Sequence, residues 1–351
     1  MITHPAFYWR NGLIIFVGIL SLPVMMLLAA MTGDMPVSFA TAARAITNGL
    51  GITHFDLPAV EAGVIWQYRM SRALMAASSG GGLALCGLVL QSLLRNPLAD
   101  PYLLGISAGA STGAVSVMLL GIGNGAITTG AGAFTGACVA FSLIAVLSGG
   151  MRENASRIIL AGIAGTQLFN ALTSYIVSTA ANAEQSRGVM FWLLGSLSGV
   201  RWANALLCFA VVATGLLVVI CYARSLDTFT FGHDVSATLG TRVLLVRIML
   251  LLTTAFITAV IVSAIGAVGF VGLVIPHITR MMAGHRHLIT IPIAFLAGCH
   301  FMVLADLVSR TLISHQVLPI GVVTALVGAP VFALILYRNR EKQLCMSWLS
   351  S

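Results

Sequence analysis

The chemistry open to this chain is bounded by its polar residues and their spacing. A nucleotide-hydrolysing loop needs a glycine-rich turn followed by a lysine that reaches the phosphates. The only lysine is Lys342, in Arg340-Glu341-Lys342-Gln343. Any ATP hydrolysis that drives this chain must therefore come from a separate subunit. GxSxG occurs twice, as Gly105-Ile106-Ser107-Ala108-Gly109 and Gly109-Ala110-Ser111-Thr112-Gly113, but within an apolar block and with no strand pattern before it, as a nucleophile elbow requires; HExxH does not occur, and His285 and His287 sit in a short basic turn. The cysteines, Cys86, Cys138, Cys208, Cys221, Cys299 and Cys345, form no CxxC pair. All but Cys345 fall inside apolar stretches and read as buried small hydrophobes rather than ligands or disulfides. The expectation is a chain with no catalytic residue, no metal site and no directly bound cofactor. An ion-driven carrier usually keeps carboxylates at mid-membrane. Here the 10 acids lie at or near the ends of apolar blocks, with Asp306 the most embedded. That weakens the reading as an ion-gradient-driven secondary transporter, which stays as the alternative.

The cations tell more. Of 18 basic residues all but Lys342 are arginine, and the net charge is +8. They are scattered singly between apolar blocks, with no basic face and no aromatic interleaving, so nucleic acid is not implied. Arg69, Arg72 and Arg310 fall at block ends on one side of the topology derived below. Arginine offers a fixed bidentate fork for a carboxylate, and exposed charge pairs fix register and speed encounter. These three are candidates for receiving an acidic partner surface; the competing reading is interfacial anchoring. Asp306 lies four residues before Arg310, so a local ion pair competes with any partner.

The elements that must position these residues are membrane helices. The 351 residues are 58% hydrophobic and only 8% charged, against roughly 25% charged in a soluble domain. Such a chain cannot cover itself in water and needs lipid as solvent, with about 20 apolar residues per span. Blocks of that kind run over Leu13–Met31, Ala73–Leu94, Leu104–Leu120, Ala126–Leu147, Ile158–Thr179, Ala203–Tyr222, Ile248–Ile265, Val268–Ile278, Leu288–Val308 and Pro319–Tyr337. The fold class expected is an all-α integral membrane protein with about ten transmembrane helices, one transmembrane domain over 1–351. The first block is taken as a retained span rather than a signal peptide. Val189–Leu197 is too short to cross and reads as re-entrant or interfacial. An even number of spans puts both termini on one side. If that side is the cytoplasm, it holds Arg10, Arg95, Arg152, Arg157, Arg224, Arg242, Arg247, Arg280, Arg286, Arg338, Arg340 and Lys342. The other side holds Arg44, Arg69, Arg72, Arg187, Arg201 and Arg310. The 12 to 6 division follows the positive-inside rule. The long polar breaks are then Thr32–Arg72 outside and Ala223–Arg247 inside.

Three stretches are specific in wording. Arg69-Met70-Ser71-Arg72 leads through a small-residue helix to Leu94-Arg95-Asn96-Pro97-Leu98-Ala99-Asp100-Pro101-Tyr102-Leu103-Leu104-Gly105. Phe191-Trp192-Leu193-Leu194-Gly195-Ser196-Leu197 follows. The third runs from Gly266-Ala267-Val268-Gly269-Phe270-Val271-Gly272-Leu273-Val274-Ile275-Pro276-His277 to Ala305-Asp306-Leu307-Val308-Ser309-Arg310, and closes with Gly328-Ala329-Pro330. Over about Arg69 to Tyr337 the order and spacing resemble the FecCD family of permeases, which includes vitamin B12, haem and ferric-siderophore importers.

That resemblance implies a type II ABC importer permease, similar to the vitamin B12 importer permease. It implies ten helices per subunit, a homo- or heterodimer with a central path, two cytoplasmic ATPase subunits and a periplasmic binding protein. It assigns docking of the binding protein to Arg69, Arg72 and Arg310. The stretch Phe231-Gly232-His233-Asp234-Val235-Ser236-Ala237-Thr238-Leu239-Gly240, within the loop of about 223–247, resembles the family's ATPase-coupling helices. From the residues alone it is a short helical turn with Asp234 near its start and Gly240 at its C-cap, or an ordinary surface loop. His233 and Asp234 depart from the acidic residue common there. Asn154, Ala155 and Ser156 match the cytoplasmic gate, although small polar residues also form ordinary loops. Asn96, Pro97 and Pro101 read as a helix break, and Gly266, Gly269 and Gly272 as close-packing positions. Pro276 is expected to kink or end its helix.

Overall fold

In a computed structural model, residues 5–33, 35, 37–149, 155–313 and 316–349 are described. These form helices; the one β pairing among them is an isolated bridge between Ile313 and Gln316. Lipid leaves no water to satisfy backbone groups, so a spanning segment must close its hydrogen bonds within itself.

Ten helices correspond to the ten apolar blocks: α1 (Pro5–Met31), α4 (Ser71–Leu93), α5 (Ile106–Leu120), α6 (Thr129–Leu147), α7 (Ala155–Ala180), α9 (Trp202–Cys221), α12 (Val243–Ile265), α13 (Val271–Ala283), α14 (His287–Thr311) and α15 (Ile320–Leu349). Seven are long and apolar enough to cross a membrane unaided; α5, α13 and the apolar part of α15, Ile320–Ile335, are shorter. Between them lie α2 (Phe39–Gly49), α3 (Ala59–Gly63), α8 (Ala183–Leu193), α10 (Ala223–Phe229) and α11 (His233–Thr238).

The polar break before the second span is more structured than its composition suggests. α3 continues through a π-helical segment, Val64–Met70, into α4, giving one 35-residue helix from Ala59 to Leu93. The helix thus begins well before Ala73, and the widened π turn falls on Arg69. Expected breaks elsewhere are present. α4 stops at Leu93, Arg95 turns with φ 51°, and a 3-10 turn over Pro101–Leu104 leads into Gly105 at φ 67°. Pro276 lies inside α13, which continues to Ala283, so it does not end the helix.

α4 is the axis of the bundle. It is buried along its length apart from the half-buried Leu74, packed by α9, α12, α13 and α14. Its small residues are the reason. A Cβ on Gly80 would strike the Gly298 carbonyl of α14, and one on Gly87 the Gly272 carbonyl of α13. Such contacts hold membrane helices together, since lipid gives apolar side chains no preference for protein. α5, α6 and α7 form a second packed group, with Gly109 and Gly113 of α5 against Gly136 and Gly132 of α6. α1 lies at the periphery against α14. Cys86, Cys208 and Cys299 are buried, but Cys138 and Cys221 face outward, a departure from the expectation of burial.

Candidate functional site

Polar side chains gather at the two ends of the bundle. At one end Asp306 of α14, 1% exposed, accepts from Arg72 Nε at 2.6 Å and Arg310 Nε at 3.1 Å. The guanidinium of Arg310 also donates to the Thr32 and Ala29 carbonyls at 2.8 and 3.0 Å. Arg69 donates to Ala30, Met31 and Met35 carbonyls at 3.0, 3.1 and 2.6 Å. The last carbonyls of a helix lack intrahelical partners and carry its negative dipole end. Two arginines from other elements therefore cap the C-terminus of α1 and fix the chain that leaves it. The structure brings Arg69, Arg72 and Arg310 to one end of the fold, as expected, but buried and engaged with the chain's own acceptors. The competing pair between Asp306 and Arg310 is formed. A docking role for these three then requires a partner carboxylate to replace an internal acceptor. The guanidiniums exposed near this end are those of Arg44, Arg187 and Arg201, and Arg44 lies over the Phe55 ring at 5.3 Å. Residue type alone did not distinguish the two sets, because each buried arginine finds partners more than 30 residues away.

At the opposite end a second network joins four elements. Asp227 Oδ1 of α10 accepts from the His287 backbone N–H at 2.8 Å and faces its Nδ1 at 2.6 Å. His287 Nε2 shares a hydrogen bond of 2.7 Å with Ser92 Oγ of α4. Arg280 of α13 donates to Ser92 Oγ at 3.1 Å, the Leu88 carbonyl at 3.1 Å and Gln91 Oε1 at 2.9 Å. The order Asp-His-Ser mimics a hydrolytic triad. However, His287 is 2% and Ser92 7% exposed, and Ser92 Oγ also donates to the Leu88 carbonyl at 2.8 Å. The hydroxyl has no route to a substrate, and the arrangement is a tie between helices. The sequence offered no local signal for it, since the partners are 60 to 195 residues apart.

This tie holds the start of the loop that carries α11. Ser236 is fully buried and bonds the Gly232 and Thr228 carbonyls at 2.6 and 2.9 Å. Gly240 at φ 82° ends the helix, with Gly240 N–H to Ala237 and Thr241 N–H to Ser236, both 3.0 Å. That is the glycine-closed turn expected from the residues. His233 and Asp234 open the helix, and Ala237 is exposed. Phe231, Val235 and Leu239 present apolar side chains, with Phe231 69% and Leu239 62% exposed. Of the expected gate, Asn154 lies outside the described residues; Ala155 and Ser156 form the first turn of α7, half-buried and exposed. Among the described residues no group of three metal-ligating side chains forms.

Comparison with known proteins agrees with this architecture. The FecCD transport family matches residues 11–338. A Bacillus subtilis relative, the uncharacterized ABC transporter permease protein YvrB, is 39% identical over 79% of this chain and 80% of its own. The cobalamin import system permease protein BtuC of Halobacterium salinarum is 36% identical over 82% of this chain and 76% of its own. The vitamin B12 import system permease protein BtuC of Escherichia coli O9:H4 is 36% identical over 79% and 84%. A solved transporter described as of metal-chelate ABC type, in an inward-facing conformation, aligns with TM-score 0.80 and 28% identity, covering 93% of this chain and 99% of its own. The chain belongs to the FecCD transport family and is a multi-span membrane permease of the ABC-importer type.

Proposed function

We propose that this permease passes a bulky metal chelate or corrinoid (ferric siderophore, haem or cobalamin) from periplasm to cytoplasm by alternating access, as half of a permease dimer. Two cytoplasmic ATPase subunits drive it, and a periplasmic binding protein delivers the substrate to the outer end framed by Arg69, Arg72 and Arg310. The observation that carries the reading is the inner loop. Its exposed Phe231, Val235 and Leu239 sit on a short, well-capped helix, beside Asp227 tied into α4, α13 and α14. An exposed apolar patch on a rigid mount suits a protein groove. A movement imposed there reaches the spans through hydrogen bonds rather than through a slack linker. The named chemistry of the relatives supports the substrate class: two import cobalamin and a third is of metal-chelate type.

Affinity purification of the tagged chain from native membranes tests this. An ATP-binding-cassette ATPase should accompany it in equal amount, and the double variant Phe231→Asp/Leu239→Asp should release that ATPase at least tenfold. A chain that comes away alone and accumulates chelate on an ion gradient would instead be a secondary carrier.

A further inference from the structure

At the inner end of the fold, α1, α13 and α14 enclose an apolar groove of about 430 Å³ on the flank of the bundle. Its walls include Ile14, Val17 and Gly18 of α1, Met282 of α13 and Leu296 of α14. It reaches His300 of α14, whose Nε2 shares a 2.8 Å hydrogen bond with Ser21 of α1. From Arg10 to Ser21 is about 16 Å along the helix at 1.5 Å per residue, roughly half of the ~30 Å hydrocarbon core.

The mouth of this groove has a different chemistry. Arg10, exposed and one turn before Ile14, donates to the carbonyl of Met282 at 2.8 Å. Arg286, also exposed, donates to Tyr8 Oη at 2.6 Å and lies over the Tyr8 ring at 5.8 Å. Arg10 lies over the Phe7 ring at 5.4 Å. Trp9 beside them is 82% exposed, the placing of an aromatic residue at a membrane interface. Asp227, an acid at this end, faces His287, and among the described residues neither Arg10 nor Arg286 forms an ion pair. A second observation is independent of charge. Asn11 is 2% exposed, and both its Oδ1 and Nδ2 lack a hydrogen-bond partner. Ile14 and Gly18, which line the groove, stand three and seven residues further along α1, so Asn11 lies next to its polar end. A buried amide with neither atom satisfied costs free energy that a polar ligand would recover.

We propose that this groove is a binding site for one anionic glycerophospholipid. Its phosphate is received by Arg10 and Arg286, its ester region hydrogen-bonds Asn11, and one acyl chain fills the apolar channel toward His300. Basic pockets between membrane helices suit such headgroups. A free phosphate would satisfy the arginines but leave the apolar walls and the buried amide unmatched.

Native mass spectrometry of the purified full chain tests the site, using mixed micelles of equimolar phosphatidylglycerol and phosphatidylethanolamine. The wild type should retain one phosphatidylglycerol adduct. Arg10→Ala/Arg286→Ala should reduce it at least fivefold, Arg10→Lys/Arg286→Lys should keep most of it, and Arg242→Ala at the same end should not change it. Both arginines are exposed, so their loss should not unfold the chain; Val17→Trp, which fills the groove, should remove the adduct by a separate route. Equal retention of both lipids, or an adduct indifferent to the double alanine variant and to Val17→Trp, would overturn the proposal. So would a cysteine at Val17 that cross-links to its copy in a second permease subunit of the assembled transporter, because protein would then close the groove.

Discussion

Asp306 sets the frame at one end of the bundle, at the scale of one carboxylate. It is held by Arg72 and Arg310, and removing one member of such a buried cluster leaves uncompensated charge, typically costing about 3–5 kcal/mol. Asp306→Ala should therefore lower the melting temperature of the detergent-solubilised chain sharply. Arg72→Met/Asp306→Leu should recover part of the loss, because Arg310 keeps the carbonyls of Ala29 and Thr32. Equal melting of wild type and Asp306→Ala would mean that the pair adds no stability. Asp100, in the turn between α4 and α5, behaves in the opposite way. Burial pushes its carboxyl up from 3.8 to about 6, against the lowering effect of the Tyr102 backbone N–H, which donates to it at 2.8 Å. A raised folded-state value means that the neutral acid is the favoured form in the fold. Its contribution is complete below about pH 4 and is lost as pH rises through about 6. Asp100→Asn keeps the acceptor and removes the titration, so its melting temperature relative to wild type should climb between about pH 4 and 7. A flat difference across that range would contradict the shift. The identity of these residues was legible in the sequence and their state was not. Arg72 and Arg310 look the same as exposed arginines until the partner at position 306 is placed between them.

Periodicity and length carried the elements well wherever the apolar block was uninterrupted. They failed where polar residues interrupt a helix for reasons outside it. Glu61, Gln67, Arg69 and Arg72 made 59–72 look like a loop, yet Arg69 and Arg72 turn inward to the α1 carbonyls and Asp306, so the helix runs on. Likewise Pro276 reads as a kink or a stop, and α13 continues through it to Ala283, so it is not a stop. The small-residue signal was a better guide at Gly266 and Gly272, each close to a neighbouring backbone, but not at Gly269, where a side chain would meet open space. Gly80 and Gly87 lie seven residues apart on α4, each against the backbone of a different neighbour, Gly298 and Gly272. Neither neighbour can yield by a side-chain rotation, since backbone is what a new side chain would meet. Gly87→Leu should destabilise the chain by about 1–3 kcal/mol or more through overpacking. Gly51→Leu is less informative because its φ is 73°; Gly63→Leu, where a side chain meets open space, is the appropriate control. Thermal unfolding in detergent compares them directly, and equal loss in both variants would show that the close approach of α4 and α13 is not what Gly87 provides.

The whole molecule divides its polar groups between two ends, and hydrogen bonds independent of any charge count sort them. Arg10 reaches Met282, and Asp227 and Ser92 reach His287, so the start of α1, the end of α4, α10, the end of α13 and the start of α14 share one end. Arg69 and Arg310 reach the last turn of α1, Ser71 reaches Val200, and Trp202 reaches Trp66, so the end of α1, the start of α4, the start of α9 and the end of α14 share the other. This sorting puts Arg10, Arg280 and Arg286 at one end and Arg69, Arg72 and Arg310 at the other, as the division of basic residues assumed for them, and it is silent on which end faces the cytoplasm. From the positive-inside rule we propose that the end with α10 and α11 does. Single cysteines at Leu239 and at Phe55, in a background freed of native cysteines, separate the two orientations, since both side chains are exposed and stand at opposite ends. In right-side-out vesicles a membrane-impermeant maleimide should label Phe55→Cys and leave Leu239→Cys unmodified until the membrane is opened. In inverted vesicles the order should reverse. Labelling of Leu239→Cys from outside would place α11 away from any cytoplasmic ATPase. The exposed Phe231 and Leu239 would then have no engine to engage, and the outer network of Asp306 would face the cytoplasm instead of an arriving binding protein.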